Sequence, residues 1–203
     1  MGPLREDAVD PDPIVQFGRW YADAEARGVL APDAMTVASA TPDGRPSARA
    51  VLLRGLDERG FCFFTNFRSR KGRELDANPH AAVLFHWPAV QRQVRATGRV
   101  ERVSQEESEA YWRNRPRASR VSAWASAQSE PIGSREELEA RAAAAEARFA
   151  EDDGDVPLPP FWGGYRLVPD ELELWEHRED RLHDRLRYTR ADDGTWAIDR
   201  LQP

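Results

Sequence analysis

Met35-Thr36-Val37-Ala38-Ser39-Ala40, the turn Pro42-Asp43-Gly44, Ser47 to Arg54, the turn Asp57 to Gly60 and the run Phe61-Cys62-Phe63-Phe64-Thr65 follow one another without a break. Each apolar-rich run is too short for an ordinary helix. Each is separated from the next by residues that bend a chain: proline presets φ, aspartate bonds its own backbone and glycine accepts positive φ. Strands joined by such tight turns pair antiparallel, because a parallel return needs a long crossover. Upstream, Asp12 caps a helix with Pro13 in its first turn. Ile14, Phe17, Tyr21 and Ala24 then recur at helical spacing, and Gly28 closes it. Downstream, Ser69 to Asn78 reads as a short helix stopped by Pro79. Ala81 to Trp87 and Val90 to Val103 read as strands, the second long enough to bend near Gly98.

The next stretch is helical. Ser104 with Glu107 and Ser134 with Glu137 have the spacing of capping boxes. The first opens a helix ending before Pro116, the second an Ala-rich helix to about Ala150. Glu151 to Asp155 is an acidic loop, and Val156-Pro157-Leu158-Pro159-Pro160 a stiff connector. Strands resume at Tyr165 to Val168, Glu171 to Trp175, Leu182 to Tyr188 and Trp196 to Leu201. The pattern predicts a mainly β chain with α-helices, an antiparallel barrel with peripheral helices over 12–203 behind a flexible segment 1–11. Regular βαβ alternation is missing, which excludes a doubly wound dinucleotide fold.

At 203 residues the chain suffices for one core. Seven Trp and eight Phe oppose disorder, and a net charge of −6 gives no global attraction to nucleic acid or anionic lipid. The one cysteine, Cys62, excludes an internal disulfide and sits in an apolar run, where it reads as a core thiol. His80, His86, His177 and His183 lack zinc-ligand spacing, so no metal is expected. No apolar run reaches a membrane span and the first residues lack a signal-peptide core, so a cytoplasmic location is expected. Phosphate loops, zincin motifs and nucleophile elbows are not found. What remains is cofactor chemistry or plain binding.

Any anion must therefore be held by local cations. Arg49-Ala50-Val51-Leu52-Leu53-Arg54 is a strand with a cation at each end. Arg68-Ser69-Arg70-Lys71-Gly72-Arg73 opens a helix, where free N–H groups and flanking cations suit a phosphate. Taken alone, a solvated basic helix start is the simpler reading. Arg181-Leu182-His183-Asp184-Arg185-Leu186-Arg187-Tyr188 alternates, so in a strand Arg181, His183, Arg185 and Arg187 share one face and Leu182, Leu186 and Tyr188 the other. Either an anionic ligand covers that face or it is a charge-blunted edge. Tyr111, Arg115 and Ser119 form a further phosphate-type set at a helix end, so two phosphorylated ligands are expected.

Taken in order, Arg49 to Leu53, Phe64-Thr65-Asn66, Ser69 to Leu75, Arg92-Gln93-Val94, Ser119 to Ser129, Phe161-Trp162-Gly163-Gly164-Tyr165 and Arg181 to Arg185 resemble the pyridoxamine 5′-phosphate oxidase family, over about Asp12 to Pro203. The resemblance implies an FMN-binding split β-barrel of Greek-key type. It also implies a homodimer with FMN at the subunit interface, and oxidation of pyridoxamine or pyridoxine 5′-phosphate to pyridoxal 5′-phosphate with O2 as acceptor. It assigns the FMN phosphate and ribityl chain to Arg49, Thr65, Arg70, Lys71, Gln128 and Ser129, with Ala50, Val51, Leu52 and Phe64 in the same stretches, and the flavin ring to Gln93, Trp175 and Arg185. Arg54, Tyr111, Arg115 and Ser119 would hold the substrate phosphate, while Arg181 and His183 would bracket its pyridine ring.

The chain departs from the family's pattern at Arg54, where the family usually has Lys, and at Glu176-His177, where it usually has Gln and Gly. The family's upstream Arg-x-x-Tyr lid is not found ahead of Leu4-Arg5-Glu6-Asp7. Two alternatives stay beside the main reading: a flavin oxidase of the phenazine-biosynthesis type, and a non-catalytic flavin-binding protein of the same barrel.

Overall fold

A computed structural model describes residues 2–150 and 155–203; of the expected acidic loop, Glu151 to Gly154 lie outside the described residues. Helix α1 (Pro13–Ala26) starts where Asp12 Oδ1 accepts from Ile14 N at 2.8 Å. Strands β1 (Ala34–Ala40), β2 (Pro46–Leu52), β3 (Gly55–Asp57) and β4 (Gly60–Asn66) follow, then α2 (Arg70–Ala77), β5 (His80–Trp87) and β6 (Arg92–Arg102). Helices α3 (Gln105–Arg113), α4 (Arg117–Ala125) and α5 (Arg135–Arg148) lead into β7 (Trp162–Glu176), β8 (Asp184–Arg190) and β9 (Trp196–Arg200).

All described strand pairs are antiparallel, in the order β2-β1-β5-β6-β7-β4-β3, with β8 on β7 and β9 on β8. β7 is one continuous strand where two were expected, and its halves have different partners. Trp162 to Leu167 pair with β4, Glu171 to Glu176 pair with β8, and β6 runs along the other edge. The halves meet at a bulge: Thr97 pairs with Glu171 and Gly98 with Pro169, leaving Asp170 as the extra residue. This is the bend expected near Gly98. Pro169, which has no N–H to donate, is tolerated at such a point.

One face of the sheet closes over a core of Phe17, Phe61, Phe63, Phe85, Trp87, Leu172 and Leu174, with α1 laid across it through Ile14, Phe17, Trp20 and Ala24. A second cluster, Trp112, Val121, Ala145, Phe149, Val156 and Trp162, holds α3, α4 and α5 against the end of β7. The capping box at Ser104 and Glu107 is complete, but at Ser134 the return contact goes astray: Glu137 Oε2 accepts from Gly133 N instead. Cys62 is buried, and desolvation pushes its thiol up to about 11, as an inert core residue.

Two local expectations are corrected. α4 forms where the sequence was read only as a helix end; Pro116 sets its first turn and Val121 docks it on the second cluster. β8 begins at Asp184, not Leu182. Arg181 has φ of +64°, which strand geometry forbids, and Leu182 is exposed. The cationic face is thus reduced to Arg185 and Arg187, opposite buried Asp184, Leu186 and Tyr188.

The residues before α1 lie against this corner. Leu4 N donates to Asp184 Oδ2 at 3.1 Å, Arg200 Nη2 to Leu4 O at 2.6 Å, and Arg178 Nη2 to Gly2 O at 2.9 Å.

A Cβ at Gly98 would sit 2.1 Å from Val168 O, a backbone atom that cannot step aside. Gly98→Ala is therefore expected to lower unfolding free energy by about 1–3 kcal/mol, read from the shift in urea midpoint.

Candidate functional site

The centre of the site is a buried lysine. Ser69 caps α2, its Oγ accepting from Gly72 N at 3.3 Å, and Gly72 lets the helix start touch Phe67: a Cβ there would lie 2.1 Å from Phe67 O. The turn aims Lys71 inward. Its Nζ donates to Thr65 Oγ1 at 3.0 Å, Gln128 Oε1 at 3.3 Å and Ser69 Oγ at 3.4 Å. Every one of these acceptors is neutral, and among the described residues no carboxylate pairs with Lys71. Burial, with the Arg49 charge adding to it, pulls Lys71 down to about 8.

Arg49 and Arg70 are neutralised, in contrast. Arg49 Nη1 reaches Ser39 Oγ at 2.6 Å and Val37 O at 3.2 Å, while Nη2 meets Ser47 and lies 3.3 Å from Glu74 Oε2. Arg70 Nε holds Glu74 Oε1 at 2.8 Å. Burial opposes ionisation of Glu74, but hydrogen bonds from Ser39, Ser47 and Arg70, with the Arg49 charge, keep its carboxyl at about 2. Glu74 thus fixes two of the expected phosphate ligands in place.

The second expected phosphate set stands beside the first. Tyr111 stacks on Phe64 with ring centroids 4.0 Å apart, and the Arg115 guanidinium lies 4.5 Å from the centre of the Trp162 ring. Arg115 Nη2 donates to Ser119 O at 3.1 Å, and among the described residues no carboxylate pairs with it. Burial lowers the pKa of Arg115, and the Arg54 charge acts in the same direction. Arg54 itself is tied to Asp33 at 2.6 Å. Thr65, Gln128, Arg115, Ser119, Phe64 and Trp162 all line a single cavity of about 390 Å³. Arg115 lines this hollow directly, and Lys71 stands one hydrogen bond behind its wall through Thr65 and Gln128; desolvated cations with neutral partners suit an anion.

The remaining expected residues lie elsewhere. Gln93, Trp175 and Arg185 stand side by side across β6, β7 and β8. Arg185 Nε holds Glu173 Oε1 at 2.7 Å and Nη1 donates to Gln202 O at 2.9 Å. The His183 ring lies 4.7 Å from Trp175, and Arg181 is exposed in the preceding turn. None of these five residues lines the cavity that holds Arg115 and Thr65. On β2, Ala50 and Leu52 are exposed and Val51 packs on the core; Ser129 follows Gln128 with φ of +75°. The sequence reading missed Glu74 and the ring of Trp162. The i,i+4 spacing of Arg70 and Glu74 was a usable signal for the first; nothing local marked the second as a platform for Arg115.

A family model described as pyridoxamine 5′-phosphate oxidase matches residues 22–149, and one described as the pyridoxine 5′-phosphate oxidase C-terminal dimerisation region matches residues 162–203. A relative from Rubrobacter xylanophilus, named pyridoxine/pyridoxamine 5′-phosphate oxidase, is 58% identical over 98% of this chain and 91% of its own. One of the same name from Cupriavidus necator is 53% identical over 100% of this chain and 94% of its own. Among solved structures, PhzG from Burkholderia lata in complex with tetrahydrophenazine-1-carboxylic acid aligns with a TM-score of 0.91 at 37% identity, covering 98% of both chains. A pyridoxamine 5′-phosphate oxidase-related, FMN binding protein from Nostoc punctiforme shares the fold, with a TM-score of 0.72 at 22% identity over 91% of this chain and 96% of its own.

The lysine sets a pH dependence. Lys71 titrates near 8 without an anion, and a bound anion favours its charged form. Below that pH no proton is taken up on binding; above it, binding requires one. Affinity for a phosphorylated ligand is therefore expected to be flat from pH 7 to 8 and to fall by up to roughly tenfold per unit above that. Calorimetric titration across this range checks it, and Lys71→Met is expected to abolish the slope.

Proposed function

The chain belongs to the pyridoxamine 5′-phosphate oxidase family, and from that premise we propose that it oxidises pyridoxamine or pyridoxine 5′-phosphate to pyridoxal 5′-phosphate, with O2 as acceptor and H2O2 as product, the amine also taking up water and releasing ammonia. The family implies a flavin; FMN is the form we propose, because the observation that carries the reading is an anion-seeking one: Arg115 in the cavity wall and Lys71 directly behind it, bonded to the lining residues Thr65 and Gln128, are both desolvated and without carboxylate partners among the described residues. Bound FMN would supply the redox chemistry, taking two electrons from the substrate's C4′ carbon and being reoxidised by O2.

The protein's part is binding and orientation. Lys71, with Arg49, Thr65, Arg70, Gln128 and Ser129, would hold the FMN phosphate and ribityl chain, and Gln93, Trp175 and Arg185 would serve the flavin ring. Arg115, Arg54, Tyr111 and Ser119 would hold the substrate phosphate. Arg54 stays bound to Asp33, so its charge acts there partly spent, and Arg115 carries the greater share. Arg181 and His183 would bracket the pyridine ring. Since Gln93, Trp175, Arg185, Arg181 and His183 do not line the Arg115 cavity, a second copy of the chain would complete each site. The match of residues 162–203 to a dimerisation region supports such a homodimer.

Likeness to PhzG supports a second reading, an oxidase of a reduced phenazine-type ring. The neutral-partnered Arg115 beside Ser119 favours a phosphorylated substrate instead. An aerobic assay of the FMN-loaded protein, following pyridoxal phosphate and peroxide together, decides. Equal formation of both is expected; tight FMN binding without turnover of either vitamer would reject this substrate. Arg115→Ala is expected to raise KM for the phosphorylated substrate by roughly 10–100-fold, the loss of one or two charge-assisted hydrogen bonds, with FMN affinity nearly unchanged.

A further inference from the structure

Residues 176–178 surround His183 in a way that the proposed reaction does not by itself require. Arg178 N donates to His183 Nδ1 at 3.0 Å. With that lone pair engaged, the ring proton of neutral His183 belongs on Nε2. The His177 ring lies 5.0 Å from His183, inclined at 36°, and Trp175 lies 4.7 Å away, so the imidazole meets a ring on each of two adjacent sides. His177 and Trp175 are themselves 6.1 Å apart, closing the triangle.

The supporting segment is pinned residue by residue. The buried pair Glu176 and Arg92 meets at 2.9 Å. His177 N donates to Gln91 O at 3.0 Å. Arg178 Nε holds Asp184 Oδ2 at 2.6 Å, and its Nη2 reaches Glu176 Oε1 at 3.0 Å and Gly2 O at 2.9 Å. The backbone under His177 is thus held, and its ring rests on Trp175 and His183.

Resting on the oxidase reading above, we infer that His177 is a positioning residue: its ring holds the plane of His183, so that Nδ1 stays on the Arg178 N–H and Nε2–H is presented in one direction to the substrate. The contribution is the ring itself, and an aromatic side chain without titratable nitrogens serves equally well.

The test compares wild type, His177→Ala and His177→Phe as FMN-loaded proteins, by steady-state kinetics, FMN affinity and 15N spectra of histidine-labelled protein, which report the tautomer of His183. His177→Ala is expected to lower kcat roughly tenfold, as a displaced orienting group does, with FMN affinity unchanged and the His183 nitrogens averaging between tautomers. His177→Phe is expected to restore kcat to within about twofold of wild type and to restore the single tautomer. Unchanged kcat and an unchanged His183 tautomer in His177→Ala would overturn the inference, and so would a His177→Phe protein as impaired as His177→Ala. If the wild type turns over neither vitamer, the oxidase reading fails separately, and the 15N spectra of the three proteins still decide whether His177 holds His183.

Discussion

Everything in this molecule that matters for binding depends on one strand having two neighbours on the same side. β7 pairs with β4 along its first half and with β8 along its second, and the change of partner falls at the Asp170 bulge opposite Gly98. A straight strand would keep one neighbour along its length. The extra residue turns the strand, and two layers diverge from it. The first half carries Trp162 to the wall of the cavity, and the second carries Trp175 to the corner where His183 lies. The absence of a side chain at Gly98 is thus a condition for both regions.

Charge is distributed within this frame by a simple rule. Some of the proposed ligand-binding cations are already paired with carboxylates and so held in place: Arg49 and Arg70 with Glu74, Arg54 with Asp33, Arg185 with Glu173. Lys71 and Arg115 instead meet hydroxyl, amide and carbonyl oxygens, aromatic faces and apolar walls. Such partners orient a cation without cancelling it, and its desolvation cost is recovered only when an anion arrives. A carboxylate in either place would stabilise the ligand-free protein and weaken the site.

Features set by local chemistry were legible in the sequence. The Asp12-Pro13 start of α1, the Pro42-Asp43-Gly44 turn and the Ser104–Glu107 box depend on neighbours a few residues apart. The expected phosphate ligands Thr65, Lys71 and Gln128 do touch one another. The failures came where distant contacts prevail. Arg181, His183, Arg185 and Arg187 alternate like a strand, yet the Arg178 turn places Arg181 at positive φ, and no glycine or asparagine announces it. The Pro116 start and the alanines of α4 were weak local signals, and its docking through Val121 makes the helix. The continuity of β7 through Pro169 reads locally as a break, and only β6, bulging opposite, explains it.

The grip of Arg200 on Leu4 O spans 196 positions of sequence, and that of Leu4 N on Asp184 spans 180. Contacts of such separation close the largest loops the chain can make and pay their entropy late. Asp184 also anchors Arg178, whose backbone N–H seats His183. The corner around His183 is therefore held together by residues from opposite ends of the sequence. The cavity lining at Thr65, Gln128 and Arg115 has no share in these contacts, so the chain's first residues are tied to the part of the molecule that would orient a substrate and not to the part that would hold an anion.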